Sequence, residues 1–191
     1  DTKERRLKRL LGLQIVVIAV EMKLPPLGEH GHGGVPKEDF VQALTGTVED
    51  KSSSIMKVAS ELVGLLLSSS LEREFEKMLV KQIRYSAAKM FNDQKHQRFV
   101  DLLSGVAKHY QFILRETTIS RKLLSLLGRN DIRKKNHGKN YAALLLLILW
   151  SSDFISSDDL RDYLNPVLES ILNGKNVQAH RFILMILVKA S

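Results

Sequence analysis

From Leu160 to Leu172 the apolar residues Leu160, Tyr163, Leu164, Val167, Leu168, Ile171 and Leu172 fall at i, i+3, i+4, i+7, i+8, i+11 and i+12. That spacing is one stripe of an α-helix. Ser156 with Asp159 makes a capping-box start, Asp158 and Asp159 suit the positive end of the helix dipole, and Asn173-Gly174 supplies a stop. A second helix is expected from Asn176, and its run Phe182 to Val188 is apolar all round. One face of the first helix cannot cover that run. The pattern therefore predicts several hairpins stacked on one another.

The same reading applies along the chain. A helix over 3–22 opens with charges around Leu7 and continues into LLGLQIVVIAV, so it is expected to begin exposed and end buried. The loop 23–35, KLPPLGEHGHGGV, holds two prolines and four glycines and cannot continue a helix. Pro36 opens a short helix with Phe40, Val41 and Leu44 on one face and Gly46 as its stop. Ser52 to Ser54 cap the next, whose stripe is Ile55, Val58, Ala59, Leu62, Val63 and Leu66. A long amphipathic helix then sets Leu71, Phe75, Met78, Leu79, Ile83, Ala87 and Met90 against Glu72, Arg73, Glu76, Lys77, Lys81 and Arg84, and ends at Asn92-Asp93. The following helix carries Phe99, Leu102, Leu103, Val106, Ala107 and Tyr110, and its pattern extends to Leu114. Thr117 or Thr118 caps a shorter helix through Leu123, Leu124 and Leu127 to Gly128. A basic connector, 129–140, leads into an apolar helix around Tyr141 to Trp150.

No segment alternates with period two between hairpin turns, so the chain reads as all α. Helix starts near Lys37, Leu71, Thr117 and Asp158 recur at roughly 35 to 45 residues, the spacing of HEAT or armadillo hairpins. Residues 1–191 are accordingly expected to form a single helical-repeat segment, an α-solenoid of stacked hairpins. A globular helical bundle is the alternative that pattern alone leaves open.

Composition narrows the function. With 44% hydrophobic and 26% charged residues the chain can bury a core. It has no cysteine, which excludes disulfides, thiolate metal sites and a cysteine nucleophile, and is compatible with a reducing intracellular compartment. The longest apolar runs, Ile15 to Val20 and Tyr141 to Trp150, fall short of the roughly 18 to 20 residues of a membrane span. The chain starts at Asp1 with no signal segment behind its basic opening, and is read as a piece of a larger protein. Its formal charge of +8 favours polyanionic partners, although a solvated basic face is the commoner meaning.

Candidate chemistry is sparse. Glu29, His30 and His32 share the glycine-rich loop, but no second ligand cluster accompanies them, and no metal is assigned. The glycines of that loop follow a helix rather than a strand, and neither Gly138-Lys139 nor Gly174-Lys175 has the upstream glycine of a phosphate loop. The serine clusters sit where helix ends need hydroxyls. His96, His109, His137 and His180 are scattered and define no acid-base pair. Pro166 should bend its helix, because it cannot bond the carbonyl of Asp162. No catalytic or cofactor-binding residue is assigned. Arg129, Arg133, Lys134, Lys135 and Lys139 in the basic connector are the candidate polyanion contact. Lacking interleaved aromatics, they suit phosphates and not base stacking; a solvated loop or a protein contact is the alternative. Lys3, Arg5, Arg6, Lys8 and Arg9 carry the same ambiguity.

LRDYLNPVLESI, Leu160 to Ile171, with the helix holding Phe182 to Met185 after it, resembles the central helical-repeat region of catalytic subunits of the DNA-dependent protein kinase type. These belong to the phosphatidylinositol-3-kinase-related kinase family. LGLQIVVIAVEMKLPP, Leu11 to Pro26, DFVQAL, Asp39 to Leu44, and ASELVGLLL, Ala59 to Leu67, resemble the start of that region in the same order. The likeness covers both ends and is poor from Gln94 to Asn140. It implies a non-catalytic solenoid scaffold in a nuclear serine/threonine kinase of DNA double-strand break repair by non-homologous end joining. Neighbouring repeats of the parent chain, the Ku heterodimer and duplex DNA are the implied partners, with no cofactor, no membrane and no small-molecule substrate. No ATP-binding glycine loop, HRD-type loop or DFG is present, so no catalytic residue carries over.

Overall fold

The computed structural model describes residues 2–21, 37–69, 73–126 and 138–151, with single positions at 154, 158 and 188. Its regular elements are all helical: α1 (Thr2–Glu21), α2 (Lys37–Val48), α3 (Ser53–Ser68), α4 (Arg73–Asn92), α5 (His96–Ala107), a 3-10 helix (Gln111–Arg115), α6 (Thr117–Ser125) and α7 (Gly138–Ser151). The all-α expectation holds among these residues. The loop 23–35 and, apart from positions 158 and 188, the hairpin 156–188 with Pro166 lie outside the described residues. Contacts divide the chain into two compact units, Asp1–Lys89 with Gly105–Tyr110, and Met90–Ser104 with Gln111–Ser191.

In the first unit α3 is the centre, with α1 and α2 packed on it. The reason is its sequence: SSIMKVASELVGLLLS carries apolar residues well beyond a single stripe, and Ile55, Met56, Ala59, Leu62, Val63, Leu65, Leu66 and Leu67 are all buried. Val41, Leu44 and Val48 of α2 are also buried, and Phe40 meets Phe75 of α4 with ring centroids 6.2 Å apart. The helix passes through Gly46, the expected stop, and ends two residues later with Val48 wholly buried. Burying Val48 outweighs the cost of a helical glycine, about 1 kcal/mol.

The serines at the two ends of α3 behave differently. Ser52 occupies the N-cap position of α3, yet its hydroxyl makes no cap bond; its amide donates to Asp50 Oδ1 at 2.7 Å instead. At the other end Ser68 and Ser69 hydroxyls donate to the carbonyls of Leu65 and Leu66. The Ser69 amide also donates to both carbonyls, so each hydroxyl adds a second bond at the end of the helix.

Two glycines permit a close approach of α3 and α5. A Cβ on Gly64 of α3 would lie 2.5 Å from the Val106 carbonyl oxygen, and one on Gly105 of α5 would lie 2.5 Å from Ser60 Cβ. Ser60 is fully buried and returns its hydroxyl to the Met56 carbonyl at 2.6 Å. Small residues on both sides let these backbones touch.

Helix α1 corrects an expectation. Leu10, Leu13, Val16 and Val17 are half-buried, whereas Leu7, Leu11, Ile15 and Ile18 stay 66%, 57%, 59% and 53% exposed. The helix was expected to end buried on nearly all sides, and through Ile18 it does not. Its one described packing partner above the weakest contacts is α3, which covers a single face. Arg9 adds an ion pair to Asp50 at 3.3 Å.

In the second unit α4 ends through a left-handed residue. Gln94 has φ 57°, Lys95 N–H donates to the Met90 carbonyl at 2.8 Å and Gln94 N–H to that of Phe91 at 3.0 Å. That is the Schellman pattern, with glutamine where glycine is usual. Phe91 then packs edge-on against His96 and Phe99, each at 5.3 Å, and Lys122 of α6 lies over its ring. Further on, α6 and α7 pack on each other and on the 3-10 helix, burying Ile113, Leu114, Leu123, Leu124, Leu144, Leu145, Leu147 and Ile148.

The pattern extending α5 to Leu114 is overturned. The helix stops at Ala107, and Ile113 and Leu114 enter the core from a separate 3-10 turn. Glu116, not a threonine, is the N-cap of α6, with Thr117 already helical. Its carbonyl receives the Ile119 and Ser120 amides, and Ser120 Oγ reaches back to the Leu114 carbonyl at 2.8 Å.

Candidate polyanion-binding groove

Of the candidate contact residues, Arg129, Arg133, Lys134 and Lys135 lie outside the described residues, as do Glu29, His30 and His32. Lys139 stands in the first turn of α7, and its side chain is outside the described set. In the N-terminal run Lys8 pairs with Glu4 at 2.8 Å and Arg9 with Asp50, which ties two of those cations to the protein itself.

A different basic surface is formed within the first unit. An open groove of about 430 Å³ is lined by Arg73, Glu76, Lys77, Val80, Lys81 and Arg84 of α4 and by Tyr110. Its construction follows from helical spacing. Arg73, Lys77 and Lys81 stand four residues apart and form one ridge, while Glu76, Val80 and Arg84 form the neighbouring row. Phe75, Leu79, Ile83 and Ala87 occupy the buried side of the same helix and fix its rotation. Successive ridge cations are separated by about 6 Å along the axis. None of Arg73, Lys77 and Lys81 has an ion-pair partner among the described residues. One residue beyond the groove, Tyr85 continues the ridge at the next four-residue step and is 62% exposed.

Tyr110 forms the far wall. Its hydroxyl donates to Glu76 Oε1 at 2.8 Å, and burial, then that hydrogen bond and the charge of Glu76, push its pKa up to about 12. The phenol thus stays a donor through neutral pH. The two residues before it bind α3: Lys108 and His109 both face Glu61 Oε1, His109 Nε2 at 3.5 Å. The hydrogen bond from Lys108 holds the Glu61 carboxyl below its ordinary value, with help from His109 and against the opposing effect of burial. A further tie comes from Glu49, which accepts from Ser86 Oγ at 2.9 Å and Lys89 Nζ at 2.7 Å of α4.

Chemically, four cations against a single carboxylate make a site for phosphates or carboxylates, with no arrangement for bond-breaking in the groove itself. No group of three or more acidic or imidazole side chains is placed to hold a metal among the described residues, and no helix there is long and apolar enough to cross a membrane. The ridge cations were legible in the sequence as a polar helix face. What marked them further was their strict i, i+4, i+8 spacing; Tyr110, distant in sequence, had no such signal.

No protein-family model matches the chain, and no curated protein or solved structure matches it.

Proposed function

We propose that this chain is a non-catalytic scaffold segment, a stretch of stacked helical hairpins from a protein of the DNA-dependent protein kinase catalytic-subunit type. It acts in the nucleus, in double-strand break repair by non-homologous end joining. The observation that supports it is the stripe Leu7, Leu11, Ile15 and Ile18, exposed on α1 while the other face of that helix meets α3. In a repeat array each unit buries one face within itself and another against its neighbour, and a true end carries a polar outer face. An outer row of leucine and isoleucine suits a face covered by a neighbouring repeat of the parent chain. Ku and duplex DNA are the further partners that the resemblance supplies.

The test is the complete reading frame together with hydrogen exchange. A serine/threonine kinase domain on the same polypeptide is expected, and its absence overturns the parentage. Amides of α1 should exchange more slowly in the intact parent than in this chain alone; equal exchange overturns the stacking.

A second reading, an independent helical module that binds nucleic acid, is favoured by the cationic groove on α4. Salt separates the two. A dedicated binder holds duplex or single-stranded DNA at physiological salt, whereas a scaffold segment shows weak and steeply salt-sensitive attachment.

A further inference from the structure

We infer that the ridge Arg73, Lys77, Lys81 and Tyr85 on α4 is a contact site for single-stranded nucleic acid, the three cations taking phosphates and Tyr85 stacking on a base. The inference rests on the nucleic-acid reading of this groove and deepens it by naming the form of strand.

Three observations converge. The cations are in line, exposed and without ion-pair partners among the described residues, so a linear polyanion displaces no internal salt bridge on docking. After its three cations the ridge carries an aromatic ring that is 62% exposed, unusual for a residue on a helix whose other aromatic residues, Phe75 and Phe91, are turned to the interior or half-buried; the next step, Lys89, is paired with Glu49. A ring there offers a face to an unpaired base, which stacks on it irrespective of sequence, while bases inside a duplex present only their edges. Finally, Tyr110 and Val80 give the groove an uncharged wall beside the cations, with Glu76 already engaged by the phenol. An acidic peptide would use the cations and leave Tyr85 without a partner.

The experiment uses the whole chain with fluorescent oligothymidylate, a duplex of equal strand length, and polyglutamate as competitor, each across a salt series. Oligothymidylate is expected to bind more tightly than the duplex and to resist polyglutamate. Lys77→Gln with Lys81→Gln should lower the salt slope by about 1.4, at about 0.7 per phosphate of a single strand. Tyr85→Ala should weaken oligothymidylate about tenfold with the slope unchanged, and Tyr85→Phe should restore it. All four side chains are exposed, and circular dichroism checks that the variants fold. Tighter or equal duplex binding, an unaltered affinity in Tyr85→Ala, or equal competition by polyglutamate overturns the single-strand inference alone. Absence of binding to both oligonucleotides overturns the nucleic-acid reading as well.

Discussion

The carbonyl oxygen of Val106 occupies the space where Gly64 would carry a Cβ, 2.5 Å from that position. Helix α3 therefore meets the end of α5 backbone to backbone, and the obstructing atom cannot rotate away as a side chain can. Ordinarily alanine stabilises a helix by about 1 kcal/mol over glycine. Here the sign should reverse: Gly64→Ala is expected to cost about 1–3 kcal/mol or more through overpacking. Gly46 in α2 is the control, because a Cβ there meets nothing within 4 Å. Gly46→Ala should raise the urea midpoint and Gly64→Ala lower it, at equal slope. A Gly64→Ala variant as stable as the wild type would show that this crossing is loose.

The helices of the described residues were readable because their apolar periodicity is strong: Ile55, Ala59, Leu62, Val63 and Leu66 in α3 and Phe75, Leu79, Ile83, Ala87 and Met90 in α4 are buried as their spacing selects, while Val58 and Met78 at the stripe edges are half-buried. Where the reading failed, a contact remote in sequence decided. Periodicity carried α5 on to Leu114, but Lys108, His109 and Tyr110 are held by Glu61 and Glu76 from α3 and α4, and the chain turns there. The apolar run of α1 looked like an interior helix, yet nothing in a one-dimensional pattern says how many faces have neighbours. In the same way the ridge of Arg73, Lys77 and Lys81 was visible as a polar face, while the groove required Tyr110 to arrive from beyond α5.

Gln94 bears a local strain that a substitution can release. At φ 57° a side chain meets its own backbone, a conformation glycine adopts freely. Gln94→Gly should stabilise by up to about 1 kcal/mol, since strain relief exceeds the added freedom of the unfolded chain. Gln94→Val, branched at Cβ, should destabilise. Thermal unfolding of the pair orders them on either side of the wild type; the reverse order would mean that α4 ends without a left-handed residue.

Acid should loosen the join between α3 and the connection after α5. The folded-state pKa of Glu61 is lowered, chiefly by its hydrogen bond from Lys108, so the carboxylate's contribution is present above the ordinary value of 4.5. It is lost as pH falls below that value and through the folded pKa. Partial exposure of both partners screens the amount to about 1 kcal/mol or less. Wild type and Glu61→Gln should therefore differ in stability at neutral pH and converge in strong acid. A constant difference would assign the effect of the substitution to packing.

Alkali should act on Tyr110 in the opposite direction. Burial and the hydrogen bond to Glu76 raise its pKa from 10 to about 12, so the folded state holds the phenolic proton more tightly than the unfolded chain does. The resulting stability is fully present below pH 10, and it disappears as pH rises from there through about 12. Two measurements check this. Subtracting the tyrosinate absorbance titration of Tyr110→Phe from that of the wild type isolates one phenol among the chain's four, and it should titrate near 12. Tyr110→Phe should also be less stable than the wild type at neutral pH, with the gap closing above pH 10. A phenol that titrates near 10, with a gap independent of pH, would show that the hydroxyl faces water and that Glu76 has no partner in the groove wall. In that event the carboxylate of Glu76 would oppose the ridge cations at closer quarters, and anion affinity along α4 should rise in Glu76→Gln.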